Sequence, residues 1–251
     1  MVKIRIDSRS NPKLKTLLDE ADNYYVFEGE KLVKDILKKN VEIAKLIVTK
    51  SKESYFSGLN HRNVNEFWVV SDPVMKKISH FKDISSFVVF LKIKKKRINF
   101  SKAQTVFVLD NIQDPANLGT IFRCAAGFGI QNIALTGNCV KPNNRKLLRG
   151  SQGALLDINY QSFTSLADLL KKDEIRNYNV YLTSSRGQVR SLDAEQVNFP
   201  CIVIIGNEGS GLPEELFLSH PSLQIPMKSS LESLNAGVSA CIFMYEISQL
   251  I

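Results

Sequence analysis

The chain has 251 residues, of which 44% are hydrophobic and 23% charged, and it carries a formal net charge of +8. That length is one large domain or two small ones, with apolar content enough for ordinary cores. No window approaches the roughly eighteen consecutive apolar residues of a membrane span. The charge is unevenly placed: residues 1–101 hold 21 Lys and Arg against 12 Asp and Glu, whereas residues 102–251 hold 12 against 13. An extended polyanion bound by the first two-fifths of the chain is the expected partner; the alternative is a basic surface that meets only solvent.

The stretch DSRSNPKLKTLLDEA predicts a short helix entered through Ser10, Asn11 and Pro12. In YYVFEGEKLVKDILKKN a short strand turns at Gly29 into an amphipathic helix with Leu32, Val33, Ile36 and Leu37 on one face. IAKLIVTK and EFWVVSD read as strands, PVMKKISHF as a helix opened by Pro73, and SSFVVFLKI as another strand. This alternation predicts a small α/β domain over residues 1–91. KIKKKRINFSK, with six basic residues from Lys92 to Lys102, reads as a linker over 92–103, either simply solvated or part of the polyanion-facing surface.

From residue 104 the strands become continuous apolar runs: TVFVLDNI, NIALTG, NVYLTSS and CIVIIGNEG. Helical stretches such as LGTIFRCAAGFG and SLADLLKKDEI separate them. Unbroken apolar strands alternating with helices predict a parallel sheet covered on both faces, which binds ligands beyond the carboxyl ends of its strands. The unusual residues cluster at those ends: Asn111 to Asn117, Thr183 to Gly187, Gly206 to Gly211, and the Ile225-Pro226-Met227 that follows Gln224.

Cys124, Cys139, Cys201 and Cys241 lack the paired spacing of a zinc site, and no metal is expected. Three of them sit in apolar context and read as small core residues, with no demand for an oxidising compartment. No apolar stretch follows the basic residues of MVKIRIDSRS, so no secretory signal is read and a cytoplasmic location is expected.

The glycines do not form a dinucleotide fingerprint or a P-loop. In DNIQDPANLGTIFRCAAGFG, Asn117 is the expected N-cap of a helix from about Leu118, whose buried stripe is Leu118, Ile121, Phe122, Ala125 and Ala126. Arg123 lies off that stripe, with Gly119 and Gly127 four residues to either side. It reads either as a fork of donors for a phosphate on a bared face, or as an ordinary surface arginine. In IVIIGNEGSGLPEEL a buried strand delivers Gly206 to Gly211 at its end, Glu208 sits among them, and Pro213 is expected to start a helix. In LQIPMKSSLESLNAGVSACIFMYEI, Ser233 and Asn235 flank Leu234 before a terminal helix in which Ala236, Gly237, Ser239 and Ala240 permit close packing.

Together DNIQDPANLGTIFRCAAGFGI, IGNEGSGLPEEL and IPMKSSLESLNAGVSACI resemble, in order and spacing, the three motifs of the SpoU (TrmH-type) RNA ribose 2′-O-methyltransferases. SRSNPKLKTLL and YYVFEGEKLVKDIL further resemble the L30-like substrate-binding domain at the N-terminus of many members. The resemblance implies an α/β methyltransferase domain over 104–251 with a C-terminal trefoil knot, and a homodimer formed through that domain. It implies S-adenosyl-L-methionine as methyl donor, held around Thr183, Gly206, Ile225, Met227 and Leu234, with Asn117, Arg123, Glu208, Ser233 and Asn235 forming the reaction site. The RNA is expected at Arg9, Lys13, Lys15 and Arg123, with 23S ribosomal RNA the first expectation and transfer RNA the second. A non-catalytic RNA-binding assembly factor is a second class, which the intact set of five site residues argues against, and methylation of a small molecule or protein is a third, which the basic first two-fifths argue against. Three departures stand out: Ser229 where the family usually has glycine, SLNAGVS where it often has SLNVSVA, and ADNYY where a basic pair often precedes the strand.

Overall fold

The computed structural model of the chain describes residues 1–56, 63–81, 84–94, 97–184, 197–227 and 233–251. The chain divides into two compact units, one made of Met1–Lys94 with Pro142–Gly153, the other of Lys95–Lys141 with Ala154–Ile251.

The first unit is built on a five-stranded sheet. Its strands are β1 (Val2–Ile6), β2 (Tyr24–Glu28), β3 (Ile43–Thr49), β4 (Val64–Val70) and β5 (Phe87–Lys92), in the order β1-β4-β3-β5-β2. β1, β4 and β3 run parallel, while β5 is antiparallel to both β3 and β2. Helices α1 (Pro12–Asp19), α2 (Glu30–Lys38), α3 (Glu53–Phe56) and α4 (Asp72–Ile78) complete its N-terminal part. Asn11 caps α1 by accepting a hydrogen bond from the Lys13 amide, with Pro12 at the first turn. Leu32, Val33, Ile36 and Leu37 of α2 are all buried. β1 was not expected from hydropathy: it is an edge strand of which only Ile6 is buried, so VKIRI carries no apolar run to betray it.

In the second unit six strands lie in the order β11-β9-β10-β6-β7-β8, every neighbouring pair parallel. They are β6 (Thr105–Asp110), β7 (Asn132–Thr136), β8 (Asn159–Phe163), β9 (Asn179–Ser184), β10 (Cys201–Ile205) and β11 (Ser222–Gln224). Every residue of β6 and β10 is buried, which at roughly 1.5–3 kcal/mol per large aliphatic side chain makes these central strands the anchor of the unit. β8 and β11 form the two edges. Both are short and mostly polar, which is why they escaped the sequence reading. From β6 the chain builds outward to β7 and β8, then crosses to the far side for β9 and β10. The order therefore reverses between β6 and β10, where such sheets open a binding crevice.

The helices of this half of the sequence are α5 (Pro115–Gly127), α6 (Arg145–Ser151), α7 (Leu166–Leu170) and α8 (Ala236–Ser248). Two expected helices are shorter than their patterns. In SLADLLKKDEI the helix stops at Leu170, and the extended Lys172 separates it from a 3-10 turn at Asp173–Ile175. Pro213 precedes a 3-10 turn, Glu214–Leu218, in place of an α-helix. The stretch expected as a linker is not free chain either, since Ile98 and Ala103 are buried in the core of the second unit.

The cysteine expectation needs correction as well. Cys124 of α5 and Cys241 of α8 are half-buried and disulfide-bonded, their Cα atoms 5.6 Å apart. They are 117 residues apart in sequence, so only the packing of α5 on α8 reveals the pair. Cys201 is a buried core residue; burial pushes its thiol, and that of half-buried Cys139, up to about 11.

Residues 142–153 interrupt the second unit in sequence and belong to the first in space. The Arg145 guanidinium, at the start of α6, donates to Glu28 Oε1 at 3.0 Å and to the Ile78 carbonyl at 2.9 Å. Glu28 also accepts from the Ser79 hydroxyl and the His80 amide, and its side chain is only 3% exposed. Such a carboxylate is tolerable only while these donors surround it. Arg145→Ala is expected to cost the first unit roughly 3 kcal/mol by leaving that charge short of a partner. Urea denaturation read on Trp68, which is buried in the same unit, checks this.

Candidate active site

The site lies beyond the carboxyl ends of β6, β9 and β10. β6 ends in Asp110, whose carboxylate is buried and accepts from the Thr136 hydroxyl at 2.6 Å. Asn111 follows in a left-handed conformation, φ +55°. Its side chain donates to Asp110 and accepts from the Asn138 amide, which fixes the direction in which its own carbonyl points. That carbonyl receives a 2.8 Å hydrogen bond from Asn207 Nδ2, in the loop after β10. The two loops at the strand-order reversal are thus joined directly.

Asn207 also shapes its own loop. Its Oδ1 accepts from the amides of Gly209 and Ser210, and its backbone carbonyl from the amide of Gly211. Gly206 lets the loop fold so tightly: a Cβ there would lie 2.7 Å from the Gly211 carbonyl carbon. The next residue, Glu208, accepts a 2.7 Å bond from Asn117 Nδ2 in the first turn of α5. Asn117 Oδ1 in turn accepts from Asn235 Nδ2 at 3.1 Å. Asn235 is the N-cap of α8, its Oδ1 accepting from the Val238 amide. Gly237 permits this closeness, since a Cβ on it would sit 3.2 Å from Asn117 Oδ1 and 3.3 Å from Asn117 Cα.

A cleft of about 1150 Å³ opens beside this chain of amides and carboxylate. Thr183, Gly206, Ile225, Met227 and Leu234, the five residues expected around a methyl donor, all line it, as do Glu208 and Ser233. Thr183 uses its hydroxyl internally, donating to the Ile204 carbonyl. The lining combines the small residues of the glycine loop with apolar side chains, among them Ile205, Phe217, Ile225, Met227, Leu234 and Phe243. Asn117 and Asn235 stand behind Glu208, joined to it through hydrogen bonds. Ser229 lies outside the described residues, as do 185–187 of the stretch that begins at Thr183.

Arg123 is placed apart from this array. It is exposed on α5, six residues beyond Asn117, and makes no hydrogen bond or ion pair among the described residues. Of the two glycines expected to clear its face, Gly127 is exposed and a Cβ there would meet nothing, whereas Gly119 is buried. Asn117 is not the N-cap of α5: Asp114, in extended backbone before Pro115, caps it by accepting from the Ala116 amide. The freed Asn117 side chain can then serve Glu208 and Asn235. Leu118, Ile121, Phe122 and Ala125 are buried as expected, while Ala126 is half-buried.

Of the expected RNA contacts, Arg9 donates its Nε to the Pro73 carbonyl and remains exposed; Lys13 and Lys15 are exposed on α1. Asn111 and Asn207 fall within stretches the sequence marked at the strand ends, but the sequence reading gave neither a role. The available signal was an asparagine between a buried strand and a glycine loop, where a side-chain amide commonly closes the turn. Among the described residues no cluster of His, Cys, Asp and Glu could hold a metal, and no helix is long and apolar enough to cross a membrane.

The loop geometry gives a paired test. Gly206→Ala is expected to destabilise the second unit by about 1–3 kcal/mol, because Gly211 backbone must move. Gly127→Ala fills open space in a helix and is expected to stabilise it by about 0.5 kcal/mol. Thermal unfolding of both variants checks the contrast.

Residues 104–245 match the SpoU rRNA Methylase family. A tRNA/rRNA methyltransferase of Synechocystis, itself uncharacterized, is 28% identical over 96% of this chain and 92% of its own length. The 23S rRNA (guanosine(2553)-2′-O)-methyltransferase RlmP of Bacillus subtilis is 26% identical over 90% and 88%. The crystal structure of an AdoMet-bound rRNA methyltransferase from Sinorhizobium meliloti shares the fold, with a TM-score of 0.81 over 98% of each chain at 23% identity. With more than half of its length matched, this chain belongs to the SpoU rRNA Methylase family.

Proposed function

We propose that the chain transfers a methyl group from S-adenosyl-L-methionine to a ribose 2′-hydroxyl of structured RNA, with 23S ribosomal RNA as the target class. The observation that carries this reading is the Glu208–Asn117–Asn235 array, which presents the Glu208 carboxylate on the wall of the cleft. The name of the Bacillus subtilis relative, a 23S rRNA 2′-O-methyltransferase, supports the choice of RNA and of atom.

The cleft suits the proposed donor. It exceeds the roughly 300–1000 Å³ of ordinary small-molecule sites, so a nucleoside with an amino-acid tail fits. The donor supplies a methyl group made electrophilic by its attachment to a sulfonium. Backbone groups around Thr183, Gly206, Ile225, Met227 and Leu234 would hold it, because the glycine loop keeps side chains from intervening. Glu208 puts a carboxylate on the lining, which favours a positively charged ligand.

The chain's own residues then have two tasks. Asn117 holds Glu208, Asn235 fixes Asn117 from behind, and Ser233 adds a hydroxyl on the same cleft lining. Arg123, exposed and unpaired among the described residues, clamps the phosphate next to the target ribose and aligns the hydroxyl. A guanidinium holds its proton and is a poor base, so the proton leaves through a phosphate oxygen or water. Positioning supplies most of the rate.

The remaining parts of the reading are the L30-like character of the first unit, the trefoil knot at the C-terminus and the homodimer. The return of α8 to pack on α5 supports the knot. The dimer is supported by an exposed apolar strip on the same two helices, where Phe128 and Tyr245 meet with ring centres 5.6 Å apart and Val238 is 48% exposed.

Isothermal titration with S-adenosyl-L-methionine, followed by tritium transfer to 23S RNA in single turnover, tests the reading. Wild-type protein is expected to bind the donor and to label ribose. Arg123→Lys should bind it equally well yet react on the order of 100-fold more slowly with RNA saturating. A protein blind to the donor would rule the enzyme out, and a variant that keeps most of its rate would remove the clamp.

A further inference from the structure

We propose that the first unit carries an RNA-docking face that runs from the loop before α1, along α4, to Lys146 and Arg149 of α6. On this proposal a segment lying in sequence within the methyltransferase half completes the substrate surface of the N-terminal unit. It rests on the RNA-methyltransferase reading above and adds to it where the RNA is held.

The basic residues of the unit fall into two populations. Many are neutralised locally: Glu53 holds Lys3 and Arg5, Glu30 holds Lys34 and Lys52, Asp7 holds Lys50 and Glu42 holds Lys94. These belong to β1, α2, the turn after β3 and the end of β5. The second population is exposed and makes no ion pair among the described residues: Arg9, Lys13, Lys15, Lys76 and Lys77, with Lys146 and Arg149, and, away from these, Lys31 and Lys92. A surface that meets phosphates must leave its cations unneutralised, as the first seven of these are.

Contacts join the elements that carry the second population. Arg9 Nε donates to the Pro73 carbonyl at the start of α4, and Lys77 Nζ returns a bond to the Arg9 carbonyl at 3.3 Å. At the other end of α4, Arg145 donates to the Ile78 carbonyl and so fastens the first turn of α6 there. Three residues apart on α6, Lys146 and Arg149 share a side of the helix. Residues 142–153 contain no Asp or Glu.

Arg149 adds a second kind of recognition. Its guanidinium lies 4.4 Å from the centre of the Phe81 ring, and His80 meets the same ring edge-on at 6.0 Å. A guanidinium backed by an aromatic ring is held flat, and an exposed one presents its outer face for a base to stack on or its edge for a phosphate. Structured RNA offers both groups, unstacked bases in its loops and phosphates throughout, so it is the polyanion that matches this pairing of charge and planar surface.

The test is binding of deproteinised 23S ribosomal RNA, measured by filter retention across a potassium chloride series, with donor affinity measured by calorimetry on the same preparations. The double variant Lys146→Glu/Arg149→Glu is expected to lose at least tenfold in RNA affinity near 0.1 M salt. Its salt dependence, the slope of log K against log salt, should become shallower by roughly 1.5, while donor affinity stays unchanged. Arg149→Lys should keep the salt slope and lose part of the affinity. Lys38→Glu, at a residue already paired with Asp35, should stay within twofold of wild type. Wild-type affinity in the double variant, or equal losses in it and in Lys38→Glu, would overturn this docking face while leaving the methyltransferase reading intact. A wild-type protein that binds the donor but no RNA sinks the RNA reading itself.

Discussion

A single hydrogen bond, 2.7 Å long, joins Asn117 to Glu208 across 91 residues of sequence, and the rest of the site is arranged so that it can form. Glu208 reaches Asn117 because Asn207 folds the loop after β10 back on itself and pins it to the Asn111 carbonyl. Asn117 is available because Asp114 takes over the capping of α5. Asn235 closes the array from the third side, and Gly237 is small enough for α8 to come that close. None of these bonds is strong alone, at roughly 1 kcal/mol net for a neutral pair and somewhat more where a carboxylate takes part. Their value lies in connection, since each member fixes the orientation of the next.

The sheet explains why the array stands where it does. Strand order reverses between β6 and β10, so the loops leaving those strands diverge and open a crevice. The central strands are wholly buried, and Asn111, Asn207 and Glu208 follow them within three positions of the strand ends. A carboxylate carried in this way is presented to the cleft with little freedom to turn aside. Preorganisation of this kind is what a reaction governed by positioning needs.

Much of this was legible in the sequence, and the remainder was hidden for identifiable reasons. The continuous apolar runs of β6, β7, β9 and β10 announced a parallel sheet, and the motif stretches, with Thr183 at the end of β9, supplied every residue expected to line the cleft. Edge strands β1, β8 and β11 were invisible because burial on one side or none leaves no hydropathy signature. The allegiance of α6 could not be read, because Leu147 and Leu148 say only that some core covers them. Its placement comes from Arg145, whose partner Glu28 is 117 residues away. The pairing of Cys124 with Cys241 and the bond from Asn207 to Asn111 are likewise long-range facts, set by the packing of helices and loops and not by local pattern. Gly119 shows the opposite error: helical spacing placed it beside Arg123, but packing buries it.

The central claim, that this array methylates ribose in ribosomal RNA, is tested most directly by mapping 2′-O-methyl groups across total RNA. The comparison is between a strain lacking the chain and strains complemented with wild-type protein or with Asn117→Ala. The account predicts one or a few ribose methyl groups of 23S RNA that vanish on deletion, return with the wild type and stay absent with the variant. An unchanged ribose map, or restoration by Asn117→Ala as complete as by the wild type, would contradict it.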